Sequence, residues 1–372
     1  MTGAPTTAAH DDSWMALALV EGLTARTALD LATRLGGPEA VLSASAAVLT
    51  AMGVGAKAVA SLGTARSRAA RERDLLAGLG ATVVARDDPA YPIRLRAIED
   101  APLALFVRGT LDPADELAVA VVGSRRASEY GRGVAVELAR GLAQAGLTVV
   151  SGLATGIDGA AHRGALDAGG RTLAIMATGI DRIYPSWHRG LAHEIARSGA
   201  LLTELPAGTP SLQFHFPKRN RIISGLTVGT VVVEAAERSG SLITAELAVE
   251  QGREVFAVPG PIGPHHRGCH RLIQGGAKLV TSVEDVLDEI APALTARVRA
   301  ARLSAAAAAL APEERSVVEA LADGVLHVDE LVRRTQADPG RTLETLLALE
   351  LRGLIAQRPG MRFERAGMGG AV

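Results

Sequence analysis

Cysteine is nearly absent. Cys269 stands alone in 372 residues, which excludes an internal disulfide framework and any cysteine-rich zinc module. No run approaches the roughly 18 consecutive apolar residues of a membrane-spanning helix. The N-terminus lacks the basic segment and apolar core of an export signal, so the expected compartment is the cytoplasm and no membrane partner is expected. Net charge is missing too: 39 basic and 40 acidic residues leave −1. A polyanion would have to be met by a local patch. Lysine is scarce, with only Lys57, Lys218 and Lys278. Arginine dominance beside abundant alanine reflects coding bias, so an isolated arginine carries little weight. Aromatics make up 3% of the chain, and one inside a charged segment therefore stands out.

Hydrophobic residues at 48% and charged residues at 21% are close to globular averages and exclude disorder. At roughly 150 residues per domain the length predicts two or three domains. The expected layout is a tail at 1–12, a helical domain at 13–80 and a connecting segment at 81–101. An α/β domain at 102–292 follows, then an Ala-rich linker at 293–311, a winged-helix-like domain at 312–365 and a tail at 366–372. In the first domain Trp14, Leu17, Leu19 and Leu23 fit one helix face, and Gly36-Gly37-Pro38 is a break. Gly53-Val54-Gly55 reads either as a plain helical turn or as a hairpin that points backbone N–H groups at a phosphate.

Between 102 and 292 short β-branched runs alternate with helical stretches. The runs are Ala118–Val122, Leu147–Val150, Thr172–Met176, Ala200–Thr203, Val228–Val233, Val255–Val258 and Lys278–Val280. Continuous apolar strands joined by helices imply a doubly wound parallel sheet, whose ligands sit beyond the C-terminal strand ends. In the last domain, two short helices, a Leu-rich helix at Arg341–Arg352 and a small β-wing suit a winged helix. The leucines favour protein contact or packing over groove reading.

Several loops carry chemistry. The first strand runs into Gly123-Ser124-Arg125-Arg126. The strand–turn–helix setting suits a phosphate, yet the Gly-x-Gly-x-x-Gly of dinucleotide sites is absent. Arg125 instead offers a planar fork to a backbone phosphate. Ser151-Gly152-Leu153-Ala154-Thr155-Gly156-Ile157-Asp158 allows close backbone approach, with Asp158 accounted for by capping and His162 by a structural hydrogen bond. No acidic residue lies between Glu204 and Glu234, and this interval holds Phe214, Phe216, Lys218, Arg219, Asn220 and Arg221. Cations for phosphates and rings for base faces are the composition of a single-strand groove, here with three cations expected to be unpaired. Ser239-Gly240-Ser241 forms an anion-ready helix start. Glu234 is placed to orient Arg219 or Arg221, the simpler role, or to bond a ribose. His265, His266, Cys269 and His270 match no zinc spacing. They read as a weakly basic rim, and neither metal nor cofactor is expected.

These residues closely resemble the DNA-processing protein A (DprA/Smf) family. The matching pieces are Val121 to Arg125, Ser151 to Ala154, Gly156 to Asp158, Ala161-His162, Tyr184-Pro185, Phe216 to Ile223, Ser239 to Thr244 and Val258 to Gly260. The resemblance implies an extended Rossmann core with an N-terminal sterile-alpha-motif-like domain and a C-terminal winged helix. It also implies a non-catalytic homodimer that binds single-stranded DNA and helps load RecA recombinase in natural transformation, with single-strand-binding protein as a further partner. It assigns DNA contacts to Ser124, Arg125, Arg171, Phe216, Lys218, Arg219, Asn220 and Arg221. Reading outward from these, Arg126, Gly152, Phe214, Ser239, Gly240 and Ser241 complete the expected site. Two departures stand out: Thr155 replaces a family arginine, and Gly268-Cys269-His270 replaces a Gly-x-Asn. The competing reading is a Rossmann-type nucleotide enzyme or sensor, similar to nucleotide N-glycosidases, with Glu234 beside the Ser239-Gly240-Ser241 loop. A third reading is a pure interaction scaffold.

Overall fold

A computed structural model describes residues 12–295, 310–351 and 354–365. Of the expected tails at 1–12 and 366–372 and the linker at 293–311, residues 1–11, 366–372 and 296–309 lie outside the described residues. Compact units divide after Ile290.

The first unit is built on a nine-stranded sheet. Its strands are β1 (Thr82–Ala85), β2 (Ala104–Gly109), β3 (Ala118–Val122), β4 (Thr148–Ser151), β5 (Thr172–Ile175), β6 (Ala200–Thr203), β7 (Gly229–Val232), β8 (Glu254–Ala257) and β9 (Lys278–Leu279). They lie in the order β1-β2-β6-β5-β4-β3-β7-β8-β9. From β6 to β9 every neighbouring pair is parallel. Strands β3 to β7 are buried along their whole length, as the uninterrupted β-branched runs require when helices cover both faces. All seven expected runs are strands, shifted at their ends by at most a residue or two.

The segment expected as a connector at 81–101 instead supplies β1, which pairs antiparallel with β2 from Thr82↔Val107 to Ala85↔Ala104. β2 then runs antiparallel to β6. These strands extend a Rossmann-type sheet at one edge. The N-terminal helices pack on the sheet rather than standing apart: Met15, Leu17 and Leu31 share a buried cluster with Phe106, Met176 and Ile195. Leu105 belongs to the cluster on the opposite face, the side-to-side alternation of a strand.

The second unit has helices Pro312–Ala320, Val328–Thr335 and Pro339–Leu351 and a three-stranded sheet of β10 (Leu326–His327), β11 (Ile355–Arg358) and β12 (Arg362–Arg365), ordered β10-β12-β11. Leu321, Leu331, Leu349 and Phe363 form its core. The last helix leaves Leu343, Leu347 and Leu351 exposed. This is the winged-helix arrangement.

Candidate functional site

β3 and β7 are neighbours, but the chain proceeds from them in opposite directions, toward β4–β6 on one side and β8–β9 on the other. Loops leaving the two strand ends therefore part and open a crevice. It measures about 480 Å³ and is lined by Ser124, Arg125 and Arg126 after β3 and by Asp158 after β4. Phe216, Arg219 and Asn220 line it after β6, and Ser239, Gly240 and Ser241 after β7. Helices Glu129–Gln144, Ile157–Asp167 and Gly240–Glu250 begin at this edge. Their N-termini add positive potential to that of the arginines. Ser239 caps the last of them through Ser241 N–H.

The Gly123–Arg126 turn is held from three sides. Ser124 N–H donates to Glu234 O at 2.7 Å, Ile157 N–H donates to Ser124 O, and Arg126 N–H donates to the Ser124 hydroxyl. Gly156 adopts φ +79°, and a Cβ there would collide with Ser124 O. The turn is thus pinned while Arg125 and Arg126 stay exposed. Neither forms an ion pair among the described residues. The Arg125 guanidinium lies 4.4 Å from the centre of the Phe216 ring, a cation–π contact. The Tyr184 ring meets Phe216 edge-on at 5.6 Å.

The aromatic and basic segment enters helix His215–Gly225, and the expectation of three unpaired cations fails there. Arg219 is 5% exposed. Its Nη1 donates to Gly152 O at 2.8 Å and to Ile175 O. A Cβ on Gly152 would occupy the place of that guanidinium. Burial draws the Arg219 pKa down to about 10, with Asp158 opposing. Burial likewise raises the Asp158 carboxyl, against the pull of Arg219 and the Ala154 N–H. Asp158 accepts from Gly152 and Ala154 N–H, so it braces the preceding turn rather than capping its own helix. Arg221 is bonded to both Glu204 oxygens and lies 2.8 Å from Asp100. Lys218 sits 3.8 Å from Glu204 and, with Arg221, lines a separate cleft toward the N-terminal helices. Phe214 stands outside the crevice lining and is exposed.

Arg171 is not at this edge. It precedes β5, at the opposite end of the parallel strands, and its Nε and Nη2 clasp both oxygens of Asp115. It also donates to Thr110 O and Ser198 O. Among the described residues Glu234 pairs with no arginine. It is wholly buried, accepts from the Ser128 N–H and hydroxyl, and lies 4.0 Å from His266 Nε2. The expected role in orienting Arg219 or Arg221 is therefore not the one it plays. His162 does make a structural hydrogen bond, with Nδ1 2.7 Å from the Thr172 hydroxyl. Burial, then His188 and Arg219, hold its pKa down to about 3. In the histidine loop, His266 and Cys269 are buried rather than forming a rim. Tyr184 received no role from the sequence although its Tyr-Pro pair was visible.

The family model of DNA recombination-mediator protein A matches residues 82–291, and that of the DprA winged helix domain matches 301–361. The chain belongs to the DNA-processing protein A family. Protein Smf of Escherichia coli is 43% identical over 295 residues, 76% of this chain and 78% of the relative. A putative DNA processing protein DprA of Mycobacterium tuberculosis is 40% identical over 321 residues, 82% of each. The X-ray structure of DprA from Streptococcus pneumoniae superposes with TM-score 0.66 at 38% identity, covering 75% of this chain and 98% of that one. A Helicobacter pylori DprA structure titled for its single-stranded DNA binding mode gives TM-score 0.51 at 27% identity, covering 56% and 94%.

Proposed function

We propose that the crevice binds single-stranded DNA by its backbone, without sequence preference, and that the protein serves DNA processing as a non-catalytic binder. In this reading it shelters incoming strands in the cytoplasm, acts as a homodimer, and helps load RecA recombinase in transformation or another recombination process. Single-strand-binding protein is its natural neighbour on such strands. The single-stranded DNA binding mode named for the H. pylori relative supports the ligand class. The observation that carries the reading is Arg125: exposed, pinned at its backbone, set against Phe216, and surrounded by helix N-termini. A cation beside a ring is the pairing that takes a phosphate and a base together.

Ser124, Arg125, Arg126, Phe216, Asn220, Ser239, Gly240 and Ser241 are the proposed contacts. Gly152 and Arg219 form the floor beneath them. Lys218 and Phe214 extend the site beyond the crevice, and Arg221 shapes the helix that carries it. Arg171 is not proposed, because its guanidinium is spent on Asp115 at the far edge. The exposed leucines Leu343, Leu347 and Leu351 favour a protein partner for the winged helix.

The nucleotide-hydrolysing reading makes Glu234 the carboxylate that acts in the crevice. Glu234 is buried and engaged by Ser128, which disfavours it. Titrating labelled oligo-dT and oligo-dA across salt tests the proposal. Similar affinities that fall steeply with salt, as counterion release demands, are expected. Tight binding of a mononucleotide with none of either oligomer would contradict it.

A further inference from the structure

Among the described residues, the exposed aromatic side chains are Tyr130, Tyr184, Trp187 and Phe214. All four belong to loops or helix starts that follow the C-terminal ends of β3, β5 and β6. Aromatic surface left in water is unfavourable, and a chain with 3% aromatics gathers its exposed ones at one sheet edge. Tyr184 and Trp187 are 48% and 73% exposed and share the loop that follows β5. That loop is anchored at both ends: the Thr178 hydroxyl donates to Arg182 O, and His188 Nδ1 lies 2.9 Å from Leu153 O. It joins the crevice through the 5.6 Å contact of Tyr184 with Phe216. Exposed Arg182 and Arg189 flank the two rings in sequence. Among the described residues the Arg182 guanidinium has one ion pair, with Asp181 at 3.8 Å.

We propose that the bound single strand continues from Phe216 onto this loop, where Tyr184 and Trp187 stack unpaired bases beyond the crevice. The inference rests on the single-stranded DNA reading above and adds a second set of base platforms. Bases fit rings of any sequence preference equally, and the flanking arginines supply charge for the intervening phosphates. Two residues separate the two aromatic positions, so their Cα atoms lie within about 11 Å of each other. The outer platform is therefore reached only by a strand longer than the crevice itself holds.

The sequence has two tryptophans, Trp14 and Trp187, which makes the test direct. In a Trp14→Phe background, oligo-dT of about 4 to about 16 nucleotides is titrated while Trp187 emission and the anisotropy of labelled DNA are followed together. Long oligomers are expected to quench Trp187, and the shortest ones to bind without quenching. Trp187→Ala should weaken the long oligomer about tenfold and leave the shortest unchanged, with Trp187→Phe restoring most of the loss. Long oligomers that bind normally without quenching, and with full affinity in Trp187→Ala, would overturn the outer platform and leave the crevice reading standing. No anisotropy change at any length would remove the crevice reading and this inference with it.

Discussion

The two edges of the parallel sheet treat arginine in opposite ways. At the N-terminal strand ends, Arg171 spends its guanidinium on both oxygens of Asp115 and on neighbouring carbonyls. At the C-terminal ends, Arg125 has its backbone held and its side chain left to solvent and to Phe216. Arg219 lies between these extremes: it is at the ligand-facing edge, yet buried and committed to Gly152 and Ile175 carbonyls. A cation is available to a phosphate only when the fold leaves its donors unspent. Position in a basic segment says little about that.

The comparison can be broken at its most buried member first. Arg219→Met strips donors from two buried carbonyls and leaves Asp158 without its nearest cation. Unfolding stability should fall by about 3 kcal/mol, read from denaturant midpoints; an unchanged midpoint would mean that the floor does not depend on it. Arg171→Ala leaves Asp115 buried without its cation, held only by the Thr148 hydroxyl and the Asp112 N–H, and should cost about 2 kcal/mol of stability with no effect on DNA affinity.

Acid sharpens the contrast from the protein's interior. His162 is held neutral in the fold, with its pKa pressed down to about 3 from 6.5. Above pH 6.5 that contribution is fully present. As pH falls from 6.5 toward 3 the unfolded chain takes a proton that the fold refuses, and stability is lost. Between pH 6.5 and pH 5 the loss should be about 1.5 kcal/mol, and His162→Gln should flatten that slope in urea titrations. The smallest effect belongs to Lys218→Ala. Because Lys218 stands near Glu204 and outside the crevice lining, affinity for oligo-dT should drop by no more than about threefold.

What the sequence revealed follows from the physics of each part. The buried parallel strands were legible because helices on both faces demand unbroken apolar runs, such as Ala118–Val122. β1 was not, since four residues at a sheet edge look like any connector. That Ser124, Arg125 and Ser239 would face one crevice was legible, because their turn chemistry is local. The partners of Arg219 and Arg221 were hidden because Gly152, Ile175, Glu204 and Asp100 lie far from them in the chain. Asp115 concealed Arg171 in the same way, across 56 residues. Glu234 was read as an orienter of arginines because only the fold brings Ser128 to it.

The most direct measurement is affinity for one labelled oligo-dT in Arg125→Ala and Arg171→Ala, side by side at a single salt concentration. Each variant removes one positive charge, from opposite edges of the sheet. The account predicts a loss of about tenfold or more for Arg125→Ala, with unchanged stability, and wild-type affinity for Arg171→Ala. Equal losses, or a larger one at Arg171, would contradict the placement of the strand at the crevice.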